Sequence, residues 1–281
     1  MDIKAKAKIN IGLGVLEKLP SGYHRIESLM VPLALADELR LKKLDRGFEL
    51  LGDHFGEEDL VYKTHEHMEE VLEGEIPLQV EIHKKIPVGA GLGGGSADGA
   101  ALIRAVRDLY DLPLGLWDLL EISEPLGADF PYCILSQPTL CRGIGDQLDP
   151  AENLPNYPVL LVNPGFSIST QEAYEKTLPN PKPMDYEKIM ACLREGDLEG
   201  ARPLLRNDLE AYAFSTYPQL EEIRDRLYKE GAGLAMMTGS GPTIFGLFTR
   251  EEDRDQAYDR LEGAYPVLIK SQIDGWLHTY V

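Results

Sequence analysis

The residues best placed to do chemistry cluster first in residues 87–98, Pro-Val-Gly-Ala-Gly-Leu-Gly-Gly-Gly-Ser-Ala-Asp, where Gly89, Gly91, Gly93, Gly94 and Gly95 crowd one short run. Ordering a glycine costs more backbone entropy than ordering any other residue, so a packed core gains nothing from such a run. A ligand that comes up against the main chain itself would account for it. Residues 78–86 alternate apolar and polar and read as a strand ending at Pro87. After the glycines, Ala97, Ala100, Ala101, Ala105, Val106 and Leu109 fall at helical spacing. A loop of this kind between a strand and a helix N-terminus presents unpaired N–H groups and the positive end of a helix dipole, which is the chemistry of a phosphate site. No lysine follows the glycines, which excludes a Walker A loop. Gly89, Gly91 and Gly94 match a dinucleotide fingerprint literally, but any glycine run does so. The residues that follow lead to Pro113 and a new helical stretch, where that fold needs a second parallel strand.

Other chemistry-bearing residues are more scattered. Residues 3–15 alternate so that Lys4, Lys6, Lys8 and Asn10 share one face of a strand, with Ile9, Ile11 and Leu13 on the other. Lysines in water and a positively charged site containing Lys8 and Asn10 explain that pattern equally well. Pro20, Ser21 and Gly22 make a turn that opens onto Tyr23 and His24, an aromatic and an imidazole able to hold a planar ring. Asp129 follows Leu126-Gly-Ala and precedes an apolar stretch, a usual position for a helix N-cap. Thr238-Gly-Ser-Gly241 is a second place where the backbone can approach a ligand. His65 and His67 fall on different faces of a predicted helix over 60–72 and are read as solvated.

The elements that must position these groups alternate between types. Strands are expected near 26–33, 38–43, 139–145 and 159–162, with helices near 115–124, 186–194, 220–230 and 251–261. A further helix is expected to begin with Thr170 as its N-cap, and strand–glycine turn–strand is expected over 234–248, with strand-like segments after the last helix. Pro150, Pro155 and Pro158 mark a linker between residues 1–150 and 151–281. With 28 basic against 47 acidic residues, a net charge of −19, nucleic acid and anionic membranes are poor partners. An anionic ligand must therefore be captured by local groups. Cys133, Cys141 and Cys192 are odd in number and widely spaced, and read as reduced thiols of a cytoplasmic protein, with neither a disulfide framework nor a metal site. Residues 1–4 lack a signal-peptide profile, and no apolar run reaches membrane-spanning length.

Together the segments resemble the GHMP (galactokinase, homoserine, mevalonate and phosphomevalonate) kinase superfamily. Pro87, Gly91, Leu92, Gly93 and Ala97 fit its loop Pro-x-x-x-Gly-Leu-Gly-x-x-x-Ala in register, and Ala7-Lys-Ile-Asn10 and Thr238-Gly-Ser-Gly241 occur in the family's order. Gly22-Tyr-His24, Leu126-Gly-Ala-Asp129, residues 163–170 and Asn207-Asp208 are most similar to the branch that acts on a cytidine diphosphate-linked methylerythritol. The resemblance implies an α+β fold of two domains. The N-terminal one would be ribosomal-protein-like with a left-handed βαβ crossover, and the C-terminal one ferredoxin-like. It also implies an ATP-dependent small-molecule kinase, a monomer or weak homodimer, with Mg²⁺ bridging ATP oxygens and few or no fixed protein ligands, Ser96 being one candidate. Asp129 would accept the proton of the attacking hydroxyl and Lys8 would stabilise the phosphoryl group in transfer. Pro87, Gly89, Ala90, Gly91, Leu92, Gly93, Gly94, Gly95 and Ser96 would hold the nucleotide. Asn10, Tyr23, His24, Asp129, Thr170, Tyr174, Gly239, Ser240 and Gly241 would border the acceptor, with Tyr23, His24 and Tyr174 around the cytidine ring. The chain departs from the family at Ser96-Ala-Asp98, where Ser-Ser-Asn is common, and at Asp59, where an asparagine beside the adenine is common. A different kinase of the superfamily (homoserine or mevalonate kinase), a dinucleotide-dependent oxidoreductase and a non-catalytic ATP-binding regulator are the competing readings.

Overall fold

The computed structural model describes residues 1–274. Its spine is an antiparallel pair, β1 (Asp2–Lys18) and β2 (His24–Lys43), which runs from Lys18 opposite His24 to Asp2 opposite Arg40 with register shifts along the way. The two strands expected over 26–43 are one, because the apolar face continues through Val31, Leu33 and Leu39, all buried. Pro32 is tolerated where the ladder is already interrupted, at the register shift between Lys6 and Lys8. The lysines of β1 end in different surroundings. Lys4 is exposed and Lys6 pairs with Asp274 at 2.7 Å, whereas Lys8 is 5% exposed.

From the spine the chain makes β3 (Phe48–Gly52), α1 (Leu60–Val71) and β4 (Leu78–His83), a unit whose two strands are parallel. The glycine run then leads into α2 (Gly94–Tyr110), followed by α3 (Leu116–Ser123), α4 (Phe130–Leu135), β5 (Thr139–Gly143) and β6 (Gln147–Pro150). The sheet order is β3-β4-β2-β5-β6, with β1 also on β2. After α2 the chain enters another helix and no second parallel strand, so the dinucleotide fold is absent. One core cluster joins Leu39, Leu41, Val80 and Ile82 of this sheet to Val61, Met68, Ala101, Val106 and Phe130 of the helices.

Residues beyond the proline-rich stretch form β7 (Pro158–Asn163), α5 (Thr170–Lys176), α6 (Tyr186–Glu195), α7 (Leu198–Ala201), α8 (Glu210–Thr216) and α9 (Gln219–Lys229). They continue as β8 (Leu234–Met237), β9 (Ile244–Leu247), α10 (Glu251–Leu261) and β10 (Val267–Gln272). The strand order β10-β7-β9-β8, antiparallel throughout, is that of a ferredoxin-like βαββαβ unit. A central core cluster brings Ile9, Ile11, Leu29 and Val31 of the spine together with Leu161, Phe245 and Ile189, so the spine packs against the second sheet as well. The strand-like segments expected after α10 include β10; residues 275–281 lie outside the described residues.

Two local expectations are corrected. His65 is not solvated, and His67 is only partly so. His65 is 3% exposed, stacks on Phe48 with ring centroids 3.9 Å apart, and its Nε2 meets Ile76 O at 2.8 Å. His67 Nε2 meets Ile122 O at 3.0 Å. His65 thus satisfies a loop carbonyl and His67 one in the last turn of α3. The N-cap of α5 is Ser169, whose hydroxyl accepts from Glu172 N, and this leaves the Thr170 side chain free to face elsewhere.

Candidate active site

The main-chain N–H of Lys8 donates to Leu92 O at 2.9 Å, so β1 is bonded directly to the glycine loop. Gly93, at φ +70°, is the N-cap of α2, and a Cβ there would come within 3.0 Å of the Lys8 stem. Only a glycine at this point lets the lysine lie flat against the loop. Gly93 has no side chain to cap the helix, so the first N–H groups of α2 are left to a ligand. They open into a cavity of about 580 Å³ lined by Pro87, Gly89–Ser96, Lys8, Asn10, Asp129, Thr170, Tyr174, Gly239 and Ser240.

The Lys8 ammonium is held between Asn10 Oδ1 at 2.9 Å and Asp129 Oδ2 at 3.4 Å. Asn10 is oriented in turn, since its Nδ2 donates to Ser28 Oγ at 2.8 Å and Ser28 donates to Gly12 O at 2.7 Å. Its carbonyl is thereby fixed toward the lysine. Asp129 stands at the N-cap position of α4, yet its side chain caps nothing; it is one-third exposed and faces the cavity. Helix α4 is wholly buried and is tied to α2 by Arg104, which donates to Cys133 O and Ile134 O. Asp129 and the glycine loop are thus carried on two helices locked together. Burial pushes the Cys133 and Cys141 thiols well up, which leaves them unreactive.

On the other wall Thr170 Oγ1 meets Ser240 Oγ at 2.8 Å, and Tyr174 lies beside His24 with ring centroids 5.3 Å apart. Burial and the charge of Lys18 hold the His24 imidazole below its usual range, so the ring is neutral near pH 7. His24 reaches the cavity through Tyr174 and does not line it. Tyr23 is 59% exposed and Gly241 is also outside the lining. Gly241 instead packs its carbonyl against Gly91.

Sequence reasoning missed a buried cluster on the nucleotide side. Lys84 Nζ bridges Asp37 and Asp98, both at 2.6 Å, and Lys84 and Asp98 line the cavity. Burial, opposed by Lys84, pushes the Asp98 carboxyl up to about 7, with Asp37 adding to the rise. The charge of the acid that stands where the family commonly has an asparagine is thus met by the Lys84 ammonium. Nothing in the local pattern distinguishes Lys84 from Lys85, whose ammonium pairs at the surface with Glu38. Asp59 accepts from Val61 N at 2.9 Å and from Phe55 N at 3.2 Å, so one oxygen caps α1 and the other holds the loop before it.

Family models describe both halves of the chain. The GHMP kinases N terminal domain matches residues 59–137 and the GHMP kinases C terminal model matches residues 189–267. The chain belongs to the GHMP kinases. As a member it is an ATP-dependent kinase. The chain is 34% identical over 269 residues (94% of this chain, 92% of the relative) to the 4-diphosphocytidyl-2-C-methyl-D-erythritol kinase of Listeria monocytogenes serovar 1/2a. It is 36% identical over 263 residues (91% and 92%) to the enzyme of the same name from Pelotomaculum thermopropionicum. A crystal structure of 4-(cytidine 5'-diphospho)-2C-methyl-D-erythritol kinase superposes with a TM-score of 0.87 at 31% identity, covering 97% of this chain and 99% of that one. The GHMP fold extends further: the L. major mevalonate kinase matches with a TM-score of 0.68 at 16% identity, covering 97% and 98%, a likeness of fold alone.

Proposed function

We propose that the protein transfers the γ-phosphoryl group of ATP to the 2-hydroxyl of 4-diphosphocytidyl-2-C-methyl-D-erythritol, a step of the non-mevalonate isoprenoid precursor pathway, in the cytoplasm. The observation that carries this reading is the meeting of Lys8, Asn10 and Asp129 with uncapped glycine-loop amides in one cavity, in a chain closely similar to enzymes of that name. We read residues 1–150 and 151–281 as the two domains, with the cavity between the groups they contribute.

Phosphoryl transfer asks little covalent chemistry of the protein; positioning and charge stabilisation supply most of the acceleration. Asp129 takes the proton of a tertiary, poorly acidic hydroxyl as the new bond forms. Lys8 and the first N–H groups of α2 face the oxygens on which negative charge is greatest. Thr170 and Ser240 border the acceptor. A neutral His24 beside Tyr174 offers one donor and one acceptor next to an aromatic face, which suits a pyrimidine and favours the cytidylated acceptor over homoserine or mevalonate.

Mg²⁺ fits the oxygen donors present. Ser96 lines the cavity at the start of α2, and Asp98 Oδ1 is buried without a hydrogen-bond partner. Among the described residues no three His, Cys, Asp or Glu side chains converge on a metal position, so the ion would rely on the nucleotide's own oxygens with Ser96 beside it. When bound, it supplies neutralisation of phosphate charge.

The test is ADP release measured side by side with the cytidylated methylerythritol, homoserine and mevalonate. Turnover with the first alone is expected. Preferred turnover of either of the others would replace the proposed acceptor.

A further inference from the structure

Asn207 lies behind the cavity and takes no direct part in its lining, yet its carboxamide is fully used. It is 4% exposed, its Nδ2 donates to Met237 O at 2.8 Å and to Gly239 O at 2.9 Å, and its Oδ1 accepts from Leu209 N at 3.0 Å. The adjoining main chain is sewn to β1: Leu13 N donates to Arg206 O at 2.8 Å and Asp208 N donates to Leu13 O at 2.9 Å. Asn207 therefore ties the turn after β8 to the strand that carries Lys8 and Asn10.

That turn sits against the reacting groups. Thr238 Oγ1 accepts from Asn10 N at 3.1 Å, and a Cβ on Gly239 would lie 3.5 Å from both Asn10 Oδ1 and Lys8 Nζ. A trans peptide is planar, with its N–H opposite its C=O. Holding the Gly239 carbonyl toward Asn207 therefore turns the next N–H, that of Ser240, the opposite way. Ser240 lines the cavity, and Gly239 has the positive φ (+55°) that lets the peptide take this orientation.

We infer that Asn207 is a positioning residue for phosphoryl transfer, which aims the Ser240 N–H into the cavity beside Lys8 as a second donor facing the glycine loop. The inference rests on the kinase reading, and adds to it a residue that touches neither substrate. An aspartate at 207 keeps the size of the side chain but faces a carbonyl with an acceptor, which frees the Gly239 peptide to rotate. A serine keeps one donor at most.

The experiment compares wild type with Asn207→Asp, Asn207→Ser and, as a control in the same segment, Asp208→Ala. Asp208 bonds Val15 N and Arg206 and does not reach the turn. Each is assayed for kcat and for KM of ATP well below its unfolding temperature, with unfolding midpoints recorded, using whichever acceptor the wild type phosphorylates. Loss of one preorganised donor predicts a fall in kcat of about 100-fold in the Asn207 variants with KM for ATP changed by less than about threefold. Asp208→Ala should lose stability and keep kcat. Asn207 variants that are less stable but turn over within about threefold of wild type would reduce Asn207 to a structural role. An equal loss of kcat in Asp208→Ala would likewise overturn the assignment. Failure of the wild type on the cytidylated acceptor would refute the proposed substrate without touching these ratios.

Discussion

At the scale of single residues, the account turns on the pair Lys8 and Asp129. Asp129 is one-third exposed and caps no helix, so its carboxylate contributes little to folding. Replacing it with asparagine keeps the shape and removes the base. Asp129→Asn should lower kcat by roughly 10² to 10⁴, the usual contribution of general-base catalysis, with an unchanged unfolding midpoint. Full turnover in the folded variant would remove Asp129 from that role. Lys8, Asn10 and Asp129 were singled out by resemblance to the kinase family, since the strand pattern fits lysines in water equally well and Asp129 sits where a helix N-cap is usual. Alternation alone put Lys4, Lys6 and Lys8 on one face; the glycine loop packed against Lys8 is what covers that lysine. Asp37, Lys84 and Asp98 were illegible as a unit because they come from three elements, and only the tertiary fold brings them within 2.6 Å of one another's partner.

At the scale of elements, the glycine loop and the 238–241 turn support each other, and Gly91 is where they touch. It has φ +75°, and a Cβ there would lie 2.7 Å from Thr238 O and 2.9 Å from Gly241 O, both main-chain atoms unable to swing aside. Gly91→Ala should therefore part the loop from the turn. Overpacking and backbone strain predict a loss of about 1–3 kcal/mol in urea unfolding together with a KM for ATP raised about tenfold. An alanine variant with wild-type stability and KM would show that the two loops do not depend on that contact. Helix α2 and helix α10 were readable because their periodicity is long and their starts are marked by glycines and charge, whereas β4 was placed correctly but ends at His83, short of the Pro87 expected to close it. The single long β2 was not, since Pro32 and polar Asp37 look like a break until the ladder and the Lys84 cluster account for them. The histidines of α1 failed as surface residues because helical spacing gives their faces but says nothing of the carbonyls of Ile76 and Ile122 waiting there.

At the scale of the whole molecule, a chain with a net charge of −19 binds an anionic nucleotide only by local means. Around one cavity the fold places Lys8, the N-terminus of α2 and an Asp98 whose charge is offset by Lys84. The spine strands pack against both sheets through the central core cluster, and this lets the loop of one half and the turn of the other meet at Lys8. No helix among the described residues is long and apolar enough to cross a membrane. The ferredoxin-like order of the second sheet was expected from resemblance and could not be read from its short strands, which carry no register information of their own. The most direct test of the whole arrangement is a crystal structure of the protein with a non-hydrolysable ATP analogue and the cytidylated methylerythritol. The account predicts the terminal phosphate between the first N–H groups of α2 and Lys8, with the acceptor's 2-hydroxyl in hydrogen-bonding reach of Asp129. A polyphosphate seated away from residues 89–96, or an acceptor hydroxyl remote from Asp129, would contradict it.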